Sequence, residues 1–225
     1  ANRFVNLQNN DNSNVILNVQ NDFTILQGKV KGSAVNTYFG GNVINNGALN
    51  VNNTTYFANF INGVAVATAK PQTVSGTGTF NAQPDVSLNT PATGSVSQLQ
   101  VNNTSPEGLT FLVPFNVVSS LTMTAGIIHT SATSLLTIGT PTMSYTGNIF
   151  GNFGETCYID GPVSKDIMRG SKAMDITNGS IYLEKFFFPV GKSSYTPIWV
   201  GVTTLESEGF QNPGQGTNLK VEAFD

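Results

Sequence analysis

No window of this chain sets apolar residues at i, i+3, i+4 and i+7 between helix caps, whereas short β-branched and aromatic runs recur throughout. "NVILNV", "FTIL", "TTYFANF", "GVAVATA" and "SLTMTAGIIHT" alternate with turn clusters such as "GGNVINNG" and "SGTG". Turns return every 8–12 residues or so, the rhythm of an all-β sandwich, barrel or solenoid. The chain is therefore all-β.

An internal echo helps to choose among these architectures. Leu49-Asn50-Val51-Asn52-Asn53-Thr54 returns as Leu99-Gln100-Val101-Asn102-Asn103-Thr104, with a looser copy at Leu17-Asn18-Val19-Gln20-Asn21. In each copy the apolar residues point to one side and Asn or Gln to the other. Stacked coils would bury a continuous apolar stripe and align polar side chains outside. The 50-residue offset fits about two coils of a parallel β-helix if each coil holds roughly 20–29 residues. The expected fold is a parallel β-solenoid, β-helix-like in its N-terminal part, followed by a β-sandwich-like module. A β-sandwich throughout is the alternative.

Composition fits a long β-structure. Charged residues make up 10% of the 225, hydrophobic residues 39%, and Asn, Thr, Ser and Gly replace the missing charge. Such side chains can stack on copies of themselves, as in Asn ladders. The net charge of −3 comes without any Lys/Arg run, which argues against nucleic acid as a partner. No apolar run approaches the ~20 residues of a membrane helix, so no membrane span is expected. "ANRFVNLQNN" has no basic-then-apolar order, so any signal peptide is expected to have been removed. Cys157 is the one cysteine, which excludes an internal disulfide and a cysteine-based zinc site. A small buried apolar residue and an intermolecular bridge are its two readings.

Charge density rises late. Residues 1–150 carry Arg3, Asp11, Asp22, Lys29, Lys31, Lys70, Asp85 and Glu107, and the last 75 residues carry fifteen charges. A boundary near "TPTMSYTGNIFGN" follows, giving a solenoid-like stalk over 1–145 and a sandwich-like, truncated module over 146–225.

Three later elements carry a resemblance. "SSLTMTAGIIHTSATSLLTIG", "CYIDGPVSKDI" and "FFFPVGKSSYTPIWVGVTT" are similar, in order and spacing, to elements of large secreted cell-surface proteins of the Bacteroidetes. The match covers roughly residues 96–204, and residues 1–95 agree in style only. The resemblance implies export by the type IX secretion system, adhesive or motility-related roles, and a β-helix-like stalk leading into a β-sandwich module. Cys157 and Asp160 stand where that family more often has Ser and Asn, and His129 where it has Thr or Ser. The insertion "MRGSKAMDITNGSIYLEKF" is longer than in the family. No sorting domain follows "LKVEAFD", so the chain is expected to be a piece of something longer.

Local chemistry in these elements is that of joints and core. Asp-Gly in "IDGP" makes a turn that tolerates φ > 0, and Pro fixes the next φ. Pro and Gly in "FPVGK" suit an edge or corner strand. Phe186, Phe187 and Phe188 offer more apolar area than one strand face can bury, so at least one should meet a neighbouring layer or partner.

Catalytic chemistry has little to work with. His129 is the single histidine, Glu107 and Glu155 are its nearest acids in sequence, and no G-x-S-x-G elbow occurs. It is read as a surface or ladder residue. Asp11, Asp22, Asp85 and Glu107 are too scattered to present a carboxylate pair, although stacking could bring distant acids together. No catalytic residue, cofactor or metal site is assigned. Calcium is the one cation with candidate donors: Asp11-Asn12-Ser13-Asn14 in one loop, and Glu155, Asp160 and Asp166 in others. "NNTT", "NNTS" and "NGS" contain N-glycosylation acceptors, which carry little information in a bacterial secreted protein. Tyr195 and Trp199 are the candidate contacts for a glycan or partner, against the common placement of a strand Trp in the core.

The expected function is that of a non-enzymatic extracellular structural or adhesive protein, a segment of a bacterial cell-surface fibre or adhesin. Its partners would be other surface modules or copies of itself, and glycans. A carbohydrate-binding module, a polysaccharide-active β-helix enzyme and a phage or filament fibre protein are the alternatives.

Overall fold

The computed structural model describes residues 4–7, 15–33, 35–81, 95–139, 147–166, 183–203 and 218–221. Among them there are strands and no helix. The expected loop donors Asp11, Asn12, Ser13 and Asn14 lie outside these residues, as do positions 140–146 at the expected boundary.

The chain visits three sheets in a fixed order. β1 (Phe4–Asn6), β2 (Val15–Val19) and β3 (Phe23–Ile25) belong to a first, second and third sheet. β4 (Lys29–Ser33), β5 (Val35–Phe39) and β6 (Val43–Asn45) then pair with them in the same order, each parallel to its predecessor. β7 (Ala48–Asn52) and β8 (Thr54–Phe57) continue the first two sheets. A hairpin of β9 (Asn59–Ile61) and β10 (Val64–Val66) intervenes before β11 (Gln72–Ser75) extends the third. β12 (Thr79–Asn81), β13 (Ser95–Asn102) and β14 (Leu109–Phe111) form the next layer.

Among the described residues, later layers use the second and third sheets. β15 (Phe115–Ala125) pairs with β13, and β16 (Ile128–His129) with β14. The eleven residues of β15 then carry two parallel partners, β17 (Leu136–Ile138) on the first half and β18 (Asn148–Gly151) on the second. β19 (Ile159–Asp160) and β20 (Val163–Asp166) extend both sheets. Parallel stacking thus runs through the position where a boundary is expected, because β18, β19 and β20 all pair back onto strands before residue 140. Antiparallel pairing enters with β21 (Leu183–Phe188) against β23 (Ile198–Thr203), and with β24 (Asn218–Val221) against β20. β22 (Val190–Gly191), the middle of "FPVGK", pairs with β19 and forms the last strand of the third sheet, the edge place its Pro and Gly suit.

Alternation fills the space between sheets. Leu109, Ile128, Ile159 and Val190 occupy one register position of the third sheet and are all fully buried. Leu99 and Leu121, with Val101 and Met123 beside them, do the same in the second. Each such side chain contributes about 1.5–3 kcal/mol through burial. Gly161 adopts φ 120°, the conformation the Asp-Gly pair allows, and a Cβ there would meet the Thr130 carbonyl oxygen.

The internal echo has a different meaning from the one its sequence offers. Leu49–Val51 lies in β7 of the first sheet and Leu99–Val101 in β13 of the second, so the copies do not stack on each other. Leu49 pairs with Val30 and Phe80, and Leu99 with Thr55 and Leu121. Their Leu and Val residues do point inward. Asn50, expected outside, is buried as well, and neither of its side-chain polar atoms finds a hydrogen bond.

On the outer face of the second sheet, Asn18, Tyr38, Tyr56, Gln100, Thr122 and Phe150 share one register column. Tyr38 and Tyr56 stack with ring centroids 4.2 Å apart, and Phe60 of the hairpin lies 4.4 Å from Tyr38. Burial, followed by the hydrogen bond to Tyr56, pushes the Tyr38 hydroxyl from 10.0 up to about 12. A raised folded-state value means that this group's stabilisation is complete below pH 10.0 and is lost as pH rises through about 12. Burial also raises Tyr158 and Tyr195, so phenolate absorbance should show several late tyrosines with Tyr38 the last, and Tyr38→Phe should remove that last step. A titration in which all tyrosines ionise together would contradict the stacked pair.

Candidate functional site

The outer face of the third sheet carries a polar column. Thr73, Thr110, His129, Asp160 and Gly191 occupy equivalent positions on β11, β14, β16, β19 and β22. Asn42 extends it backwards, its Oδ1 accepting from the Thr73 backbone N at 2.9 Å and from the Thr73 hydroxyl at 3.0 Å. Asp22 lies beyond, accepting from the Asn42 backbone N at 2.8 Å. Stacking is what makes neighbours of residues so far apart in sequence.

Within this column His129 Nδ1 lies 3.1 Å from Asp160 Oδ2, and Lys192 Nζ lies 3.9 Å from Asp160 Oδ1. The acid beside His129 is therefore Asp160, one layer on, rather than Glu107 or Glu155. His129 occupies a ladder position of β16, between Thr110 and Asp160. A carboxylate on Nδ1 fixes the ring orientation, as in hydrolytic triads. Among the described residues the side-chain hydrogen bond of His129 runs to Asp160.

Next to the column stands a cluster of rings. Phe186 and Phe188 of β21 are buried, while Phe187 faces the other way and pairs with Trp199 on β23. The Phe187 and Trp199 centroids are 4.8 Å apart, and Phe153 lies 5.4 Å from Phe187. Strand alternation accounts for the "FFF" run: two rings go into the core and one goes out. Trp199 is 62% exposed, so it is not the core residue that a lone strand Trp commonly is. Tyr195 is half-buried, its ring 6.2 Å from that of Tyr158, and its backbone N donates to Glu155 Oε2 at 3.2 Å. The turn from Phe153 to Tyr158 thus touches both Phe187 and Tyr195, the two sequence candidates being linked through it.

Cys157 is buried in that turn, its thiol 3.7 Å from the Met123 carbonyl oxygen. Burial pushes it up to about 11, which keeps it a neutral, unreactive thiol. Of the expected calcium donors, Glu155 is engaged by Tyr195, and Asp160 by His129 and Lys192. Among the described residues no three His, Cys, Asp or Glu side chains gather in a metal-binding group.

Nothing in the opening sequence marked the His129–Asp160 pair. The usable signal is that "IIH" and "YID" carry equivalent inward Ile residues, Ile128 and Ile159, which pair in register. Comparison with protein-family models, with curated proteins and with solved structures finds no match to this chain.

Proposed function

We propose that this chain is a segment of a parallel β-solenoid that serves as a non-enzymatic structural and adhesive part of a bacterial cell-surface protein. The observation that carries this reading is the fixed order in which the chain adds parallel strands layer after layer, to three sheets at first and to two of them later. Such an arrangement makes a stiff rod with long, regular outer faces, suited to spacing and display. Its partners are other surface modules or further copies, with glycans as ligands. No helix among the described residues is long and apolar enough to cross a membrane. The sequence resemblance to type IX-exported proteins supports the extracellular placement.

The test is surface labelling. Antibodies against the chain should stain intact cells of the source organism and lose that staining when the export system is deleted. Staining seen only after permeabilisation would overturn the proposal.

Carbohydrate binding is the second reading, and the exposure of Trp199 favours it. A flat ring of this kind, apolar on its faces, can stack on a sugar without moving.

A further inference from the structure

The surroundings of Trp199 narrow the ligand. Trp199 is 62% exposed, yet Phe187 braces its ring at 4.8 Å, and Phe153 backs Phe187 at 5.4 Å. A braced ring loses little freedom when a ligand lands on it. Two residues past Phe153, the exposed Glu155 carboxylate is held by the Tyr195 backbone N. An apolar plate and a fixed acceptor therefore come from the same turn-and-hairpin unit.

We propose that this unit is a subsite for a neutral hexopyranose of a longer glycan. One C–H face of the sugar lies on Trp199, and Glu155 accepts from the sugar hydroxyls. This rests on the carbohydrate-binding reading and adds the ligand class and the residue roles.

Charge sets the neutrality. Two carboxylates, Glu155 and Asp160, act on Tyr158 here against the one Lys192 ammonium, which lies 3.9 Å from Asp160. Glu155 has no such partner among the described side chains and would repel a uronic or sialic acid. Area argues against a protein partner. A stable interface buries about 800 Å² per side, whereas one aromatic side chain supplies about 150–250 Å². Phe150 is the only other large exposed apolar side chain described at this end of the stack. A single stacking residue with a carboxylate acceptor suits a sugar ring better than a protein surface.

Trp199 is the only tryptophan among the 225 residues, so intrinsic fluorescence reports on the site directly. The probes are neutral hexasaccharides of glucose, mannose and galactose, with a galacturonate hexamer beside them, titrated into the full chain. At least one neutral probe should change the emission saturably, and galacturonate should not. By calorimetry Trp199→Ala should weaken that neutral ligand at least tenfold and Trp199→Phe less. Trp199→Ala should lower the thermal midpoint only slightly, since it loses the Phe187 ring contact but empties no buried site. Glu155→Lys should gain galacturonate binding.

Saturable binding of galacturonate alone would overturn the neutral-sugar assignment and leave carbohydrate binding standing. Silence across every probe would remove both. Neutral binding undiminished in Trp199→Ala would place the sugar elsewhere and overturn this site.

Discussion

Replacing Phe111 with alanine is expected to lower the unfolding free energy by about 3–5 kcal/mol, the range for deleting a fully buried ring. Phe111 is 1% exposed and meets rings from two layers. It lies edge-on to Phe57 at 6.2 Å and stacks on Phe115 at 4.6 Å. Those contacts belong to a continuous file: Phe23 to Phe39, Phe39 to Phe57, then Phe111, Phe115 and Phe80. The file draws on all three sheets, so one cavity loosens several layers together. Leu112, the next residue, is 59% exposed, and Leu112→Ala should stay within about 0.5 kcal/mol. Denaturant unfolding of the two variants separates the cases. Equal losses would mean that the ring file does not hold the layers.

Gly126→Ala is expected to cost about 1–3 kcal/mol through backbone strain, with the crowding of its Cβ adding to that. Gly126 turns the chain between β15 and β16 with φ 102°, a conformation L side chains rarely adopt. A Cβ there would run into the Asn103 carbonyl oxygen of the preceding layer. The displacement would reach a buried hydrogen-bond centre. Asn103 Nδ2 lies 2.9 Å from Gln72 Oε1 and 3.0 Å from the Lys70 carbonyl oxygen, and its Oδ1 accepts from Ser105 N at 2.8 Å. Gln72 in turn donates to the Phe39 carbonyl oxygen at 2.7 Å, tying the corner to one layer further back. Breaking such a chain strands polar groups in the interior, at about 1–3 kcal/mol each. Gly154 has open space around its Cα, so Gly154→Ala is the matched control and should be near neutral. A Gly126→Ala variant as stable as that control would mean that the corners are looser than their contacts indicate.

Strand content was readable because alternation and turn residues are local properties. Layer order was not, for a physical reason. Thr37 and Thr55 share a hydroxyl contact 18 positions apart, whereas Thr54 and Gln98 touch across 44. Insertions such as the β9–β10 hairpin lengthen a layer without disturbing its core, so no constant period survives in the sequence. The Leu49 and Leu99 copies mislead for a related reason: every strand of every sheet needs the same in-out alternation, which leaves the motif silent about its sheet. The hairpin itself carried an unused signal, Asn62-Gly63, whose positive φ values of 50° and 83° make the tight turn joining antiparallel strands. At the candidate site Tyr195 and Trp199 were visible as residue types. Their bracing by Phe187 and Phe153, and the meeting of His129 with Asp160, follow from pairings between layers that local sequence does not encode.

One distance tests the layered stack most directly. Asn18 and Phe150 lie on the outer face of the second sheet, joined through Tyr38, Tyr56, Gln100 and Thr122 in register. Five parallel steps at the usual strand spacing put their backbones about 24 Å apart, although 132 positions separate them in sequence. Spin labels at Asn18→Cys and Phe150→Cys, in a Cys157→Ala background, would report that separation by pulsed electron resonance. The stack predicts a single narrow distribution near about 24 Å, widened only by the label arms. A broad distribution, or one centred beyond about 40 Å, would contradict a continuous column of parallel strands and with it the proposed solenoid.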